Sequence, residues 1–114
     1  MNLRQSRVAD QIRDILASRF YGDQIDDPRL KNVCITRVKV TADLQLASVY
    51  YRTLDDKQIE FASKGLESCK NRFRKLLAQE LIARRVPSLR FFYDESVDDV
   101  NRVETILSQI NQNQ

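Results

Sequence analysis

Apolar residues between Leu3 and about Tyr21 fall at Val8, Ile12, Ile15, Leu16 and Phe20, the spacing of one helical face. Arg4, Arg7, Gln11 and Asp14 share the opposite side, so the pattern predicts an amphipathic first helix. Gly22 ends it, and Pro28 excludes helix at Asp27 and favours a turn in which Asp27 caps nearby backbone N–H groups. Val33 to Val40 predicts a strand. Val33 and Ile35 lie in one phase and Val38 and Val40 in the other, which demands a bulge near Thr36–Arg37. The polar Thr41-Ala42-Asp43 turn then leads into a second strand from Leu44 to Thr53, making a hairpin.

Helical character returns near Lys57 and runs without proline to about Arg85. A straight helix of that length would extend ~43 Å and project beyond a domain of this size. A break is therefore expected, with Gly65 and Asn71 as candidates because both tolerate the left-handed conformation. The kink is placed at Asn71, after which Phe73, Leu76, Leu77 and Leu81 resume a clean stripe. Val86-Pro87 ends the helix pair, and Ser88 to Asp94 alternates as a third strand. Ser96-Val97-Asp98-Asp99 matches a helix cap, followed by apolar Val100, Val103, Ile106, Leu107 and Ile110. The order α-β-β-α-α-β-α predicts an α+β fold with a three-stranded mixed sheet and a helix-kink-helix between strands two and three. The second strand should be central and parallel to the third. Residues 1–110 read as a single domain and 111–114 as a short polar end.

Composition narrows the chemistry. No His is present among 114 residues, which removes the commonest general base and the Ser-His and Cys-His nucleophile pairs. Cys34 and Cys69 form no CxxC pair, and each reads as a small core filler. The N-terminus carries no apolar signal core and no stretch approaches 18 apolar residues, so a cytoplasmic protein away from membranes is expected. The acidic pairs Asp26-Asp27, Asp94-Glu95 and Asp98-Asp99 suit Mg²⁺ binding for phosphodiester cleavage, yet capping and turn chemistry explains all three. No cofactor, metal or small-molecule substrate is expected.

The net charge of +3 conceals a strong asymmetry. Residues 70–90 carry Lys70, Arg72, Arg74, Lys75, Arg84, Arg85 and Arg90 against Glu80 alone. Residues 91–106 reverse the sign, with Asp94, Glu95, Asp98, Asp99 and Glu104 against Arg102. Such a cluster of cations can neutralise several phosphates, or simply keep a helix soluble. Arg74 and Arg85 would project within about 20° of each other on one continuous helix. Arg84 falls within the apolar stripe and is placed to pair with Glu80. Tyr50, Arg52, Arg90 and Phe92 share the sheet face away from the helix pair, an aromatic and basic platform if that face is open. The first or last helix is expected to cover it and make both aromatics core.

Arg7-Val8-Ala9-Asp10-Gln11-Ile12, Asp27-Pro28-Arg29-Leu30, Thr41-Ala42-Asp43-Leu44 with Val49-Tyr50, and the run from Val86 to Ser96 resemble the ribosome-binding factor A family, in order and to about Leu107. That resemblance implies a type II KH-like fold. It also implies a small, non-enzymatic cytoplasmic factor that binds the immature small (30S) ribosomal subunit and assists maturation of its RNA. The family's Ala-x-Gly kink is Cys69-Lys70-Asn71 here, with Asn in place of the glycine. The RNA-contacting residues expected on this basis are Lys70, Asn71, Arg72, Arg74, Lys75, Arg85, Arg90, Arg4 and Arg7, in a protein acting as a monomer. The rival classes are a Mg²⁺-dependent nuclease using the acidic pairs, and a protein–protein adaptor whose basic face meets an acidic partner.

Overall fold

The computed structural model describes residues 3–21, 27–82 and 85–95. Helix α1 (Leu3–Tyr21) is followed by a single 3-10 turn at Pro28–Leu30 and by strands β1 (Val33–Val40) and β2 (Leu46–Thr53). A second 3-10 turn leads into helix α2 (Ile59–Glu80), and strand β3 (Ser88–Tyr93) completes the sheet. The strand order is β1-β2-β3, with β1 antiparallel and β3 parallel to the central β2, as the pattern predicts. The proposed last helix, its cap at Ser96, residues 111–114 and Arg84 lie outside the described residues.

The bulge falls where the phase change places it. The β1–β2 register shifts between Ile35 and Arg37, so that Val33, Ile35, Val38 and Val40 all point into the core. Thr36, the extra residue, donates its hydroxyl to the Asp94 carboxylate at 2.5 Å. Asp94 is 3% exposed and also takes the Arg37 guanidinium at 3.6 Å, while its backbone N–H bonds to Tyr51 O at 2.8 Å. The chain end of β3 is thereby fastened across β2 to the bulge of β1. A buried carboxylate is tolerable only with such partners.

The core lies on one face of the sheet, under both helices. Val8, Ile12 and Leu16 of α1 and Leu66, Phe73 and Leu77 of α2 are buried against Val49, Ala47 and Leu89. Phe73 joins the layers: its ring centroid lies 5.7 Å from Phe20 of α1 and 6.0 Å from Phe91 of β3. Truncating such a side chain to alanine costs about 3–5 kcal/mol.

The expected break at Asn71 is absent. Helix α2 runs unbroken for 22 residues, and among the described residues the only positive φ outside glycine belongs to Leu44, at 61°. The length argument fails because the helix stops five residues early. Leu81 already has extended backbone, and its N–H makes the last bond, to Leu77 O at 2.7 Å. Twenty-two residues span ~33 Å, which the sheet can accommodate. The buried positions Ala62, Gly65, Leu66, Cys69, Phe73 and Leu77 form one continuous stripe through Asn71, which itself is exposed.

Before Asn71 the stripe includes the small Gly65 and Cys69, and a loop lies on them. Asp27 caps the 3-10 turn through the Arg29 N–H at 2.9 Å and binds the Arg29 guanidinium at 2.8 and 3.0 Å. This turn packs against α2 so closely that a Cβ on Gly65 would sit 2.8 Å from Arg29 Cβ and 3.0 Å from Leu30 Cδ2. Those bonds hold the Asp27 carboxyl down at about 2, chiefly through the Arg29 side chain and then its backbone N–H. Cys69, by contrast, is pushed up by burial and by the Asp27 carboxylate 3.6 Å from its sulfur.

Two substitutions separate this continuous helix from one broken by a left-handed residue at Asn71. Asn71→Ala should stabilise the protein by roughly 0.5 kcal/mol, since Ala exceeds Asn in helix propensity; a loss of thermal stability would indicate the left-handed break instead. Gly65→Ala should destabilise by up to about 2 kcal/mol net, because a crowding cost of about 1–3 kcal/mol against Arg29 Cβ outweighs the helix-propensity gain of about 1 kcal/mol. A rise in the urea midpoint for that variant would contradict the close approach.

Candidate nucleic-acid interface

The end of α2, the return to β3 and the β1–β2 turn enclose a groove of about 420 Å³. Arg4, Arg74 and Arg85 line it together with Asp43, Leu44, Gln45, Val86 and Ser88. Three different segments bring these guanidinium groups together. Arg4 stands in the first turn of α1, Arg74 on the solvent side of α2, and Arg85 in the connection after α2 ends. The pairing of Arg74 with Arg85 was expected from helical spacing, but Arg85 is not helical. Arg85 stands just before the buried Pro87 and lines the same groove as Arg74.

Around Arg74 and Arg85 the groove continues into a second hollow lined also by Asn71, Lys75 and Ala78. The combined surface presents Arg4, Arg74, Lys75 and Arg85 against the single carboxylate Asp43. That carboxylate is occupied locally. It accepts the Thr41 hydroxyl at 2.6 Å and the Gln45 backbone N–H at 3.1 Å, which lower its pKa in that order of importance.

The turn carrying Asp43 is built for its place. Leu44 N–H bonds to Thr41 O at 2.8 Å, Leu46 N–H bonds to the Thr41 hydroxyl oxygen at 3.1 Å, and Ser88 N–H bonds to Gln45 O at 2.8 Å. Leu44 accepts the left-handed conformation, which costs a non-glycine residue about 1–2 kcal/mol, and in return packs its side chain against the core. The sequence pattern predicts a turn at Thr41-Ala42-Asp43 with the strand starting at Leu44; the turn instead extends through the left-handed Leu44, β2 starts at Leu46, and nothing in the pattern places this turn at the basic surface. The juxtaposition requires the parallel β2–β3 pairing, which sets Leu46 opposite Ser88.

The remaining expected residues scatter. Lys70 is engaged by Glu67 at 2.8 Å, one turn back on the same helix. Arg72 is exposed on α2 but does not line the groove. Arg7 lies in a neighbouring hollow shared with Arg4, between Leu3, Val8, Gln11, Leu44 and Ile82. Arg90 sits on the opposite face of the sheet, in register with Ser48 and away from the groove. Glu80, expected to pair with Arg84, is held by Arg19 of α1.

Two further expectations change. Neither α1 nor α2 covers Tyr50 and Phe92, and the last helix, the other expected cover, lies outside the described residues. Phe92 is 43% exposed, and Tyr50 is half-buried against it at a ring separation of 5.6 Å. The helices α1 and α2 both pack on the other side of the sheet. Cys69 is buried as expected, whereas Cys34 is only half-buried. Of the acidic pairs, Asp27 and Asp94 are saturated by the partners described above, and Asp26, Asp98 and Asp99 lie outside the described residues.

Relatives place this arrangement among known proteins. The sequence pattern of the ribosome-binding factor A family matches residues 4–107. Ribosome-binding factor A of Macrococcus caseolyticus is 36% identical over 112 residues, covering 97% of each chain. The crystal structure of ribosome-binding factor A from Thermus thermophilus superposes with a TM-score of 0.68 at 26% identity, over 78% of this chain and 94% of that one. A homology model of the Thermus thermophilus factor, fitted into a cryo-electron microscopy map of its complex with the 30S subunit, gives a TM-score of 0.62 at 22% identity, over 84% and 97%. With matching sequence over nearly its whole length and the same KH-like sheet beneath the basic groove, this chain belongs to the ribosome-binding factor A family.

Proposed function

We propose that this protein is a non-enzymatic assembly factor that binds the immature 30S subunit through its ribosomal RNA and promotes late maturation and RNA processing. The observation that carries the reading is the convergence of Arg4, Arg74 and Arg85, with Lys75, on one groove. The family supports the same partner, since its Thermus thermophilus member was fitted into the map of a 30S complex. Guanidinium groups bind phosphate oxygens bidentately, and Lys adds a point charge. A groove lined from three chain segments tracks a phosphate backbone better than a single charged helix does. It supplies affinity without reading base edges.

Binding energy then does the work. A factor that prefers one conformer of immature RNA shifts the population toward it, by as much as its affinities for the two conformers differ. No bond in the RNA is made or broken by the protein in this scheme. The acidic residues that a nuclease would need are otherwise engaged at Asp27 and Asp94. The factor acts as a monomer in the cytoplasm, consistent with its two free thiols.

Replacing Arg74 and Lys75 together by Gln should weaken 30S binding across RNA sequence contexts. It should also flatten the slope of log affinity against log salt, by roughly one unit for each phosphate that is no longer neutralised. Both side chains are exposed, so stability should change by less than ~0.5 kcal/mol. Lys64→Gln, on α2 but outside the groove, serves as the control and should leave the slope alone. Unchanged affinity and salt dependence in the double variant would reduce the basic groove to a solubility feature. Separately, purified protein incubated with precursor ribosomal RNA and Mg²⁺ or Mn²⁺ should give no multiple-turnover cleavage. Cleavage abolished in Asp27→Asn or Asp98→Asn with folding intact would establish a nuclease.

A further inference from the structure

The face of the sheet turned away from α1 and α2 carries a built arrangement of rings and cations that the groove does not use. Its central row follows the strand register: Arg37 of β1 opposes Tyr50 of β2, which opposes Phe92 of β3. The Arg37 guanidinium lies 4.2 Å from the centroid of the Tyr50 ring, and Tyr50 lies 5.6 Å from Phe92. In the next row Lys39, Ser48 and Arg90 are partners, and the Lys39 ammonium stands 5.9 Å from the Tyr50 ring. The three strands contain Arg37, Lys39, Arg52 and Arg90 and no Asp or Glu. Asp94, just beyond β3, is buried beneath this face, where it bonds Thr36 and helps hold Arg37 over Tyr50.

Phe92, 43% exposed on the edge strand, and the half-buried Tyr50 of the central strand set two flat rings side by side on this face. A cationic rim free of strand carboxylates selects a polyanion, and flat rings select flat ligands. We infer that this face is a second RNA-binding surface, taking unpaired nucleotides whose bases stack on Phe92 and Tyr50 while Lys39 and Arg90 meet their phosphates. Base–aromatic stacking tolerates any sequence. The two faces then divide the labour: the groove follows a backbone, and the sheet captures bases released from pairing. This inference rests on the reading of the protein as an RNA binder, but it uses a different surface with different residues.

The test is a titration of the ¹⁵N-labelled full chain with a single-stranded RNA octamer, with inorganic polyphosphate and poly-glutamate as charge-only probes. The octamer should shift the amides of Lys39, Tyr50 and Phe92. Phe92→Ala should weaken it by about 5- to 150-fold, the effect expected from removing one stacking platform. Phe92→Leu and Tyr50→Leu preserve apolar packing between the strands while removing a ring. They should weaken the octamer too and leave polyphosphate binding unchanged. Arg74→Gln with Lys75→Gln should leave the sheet shifts in place. Octamer binding at wild-type affinity in the two leucine variants would overturn the inference, as would shifts confined to the groove or tighter binding of poly-glutamate to the sheet. If instead the sheet shifts persist while the groove variant binds 30S normally, the groove assignment fails and the sheet assignment stands.

Discussion

Both helices must bury their apolar stripes on the same face of a three-stranded sheet, and Phe73 is where that constraint is met. Its ring, 1% exposed, is wedged between Phe20 of α1 and Phe91 of β3. With α1 over β1 and α2 over β2 and β3, no apolar helix face is left among the described residues to cover the other side of the sheet. The exposure of Phe92 and the cationic stack beside it follow from that arrangement. The groove depends on the same sheet, because the parallel β2–β3 pairing sets Ser88, just after Arg85 and Val86, beside the β1–β2 turn.

Much of this was legible in the sequence, and each failure has a physical cause. The limits of α1 and β1, the bulge at Thr36, the parallel β2–β3 pairing and the central place of β2 follow from periodicity and connection rules. The helix break did not survive, because a helix reaching Arg85 was expected and Gly65 and Asn71 were the residues able to interrupt it. Gly65 and Cys69 instead lie in the buried stripe under the Asp27–Leu30 turn, and only tertiary packing reveals that. Asn71 is an exposed helical residue on the rim of the basic hollow.

The site was half legible. Charge clustering found Arg74, Lys75 and Arg85, and the opposite side of α1 supplied Arg4. The same clustering gathered Lys70 and Arg90, which the fold sends elsewhere: one to Glu67, the other to the far face of the sheet. Linear charge density cannot distinguish these fates, because strand alternation and a helix end decide them. Arg37 and Lys39 escaped notice for the same reason. Only the bulge, by shifting phase within β1, sets Arg37 over Tyr50.

The central claim is that the Arg4–Arg74–Arg85 groove meets ribosomal RNA, and a photo-cross-linking amino acid placed within it tests this most directly. At Ala78, exposed within the hollow beside Arg74 and Lys75, such a group should form adducts with the RNA of immature 30S subunits. At Asp14, exposed on α1 outside the groove, it should form none. Ribosomal RNA adducts from position 14 with none from position 78 would contradict the account.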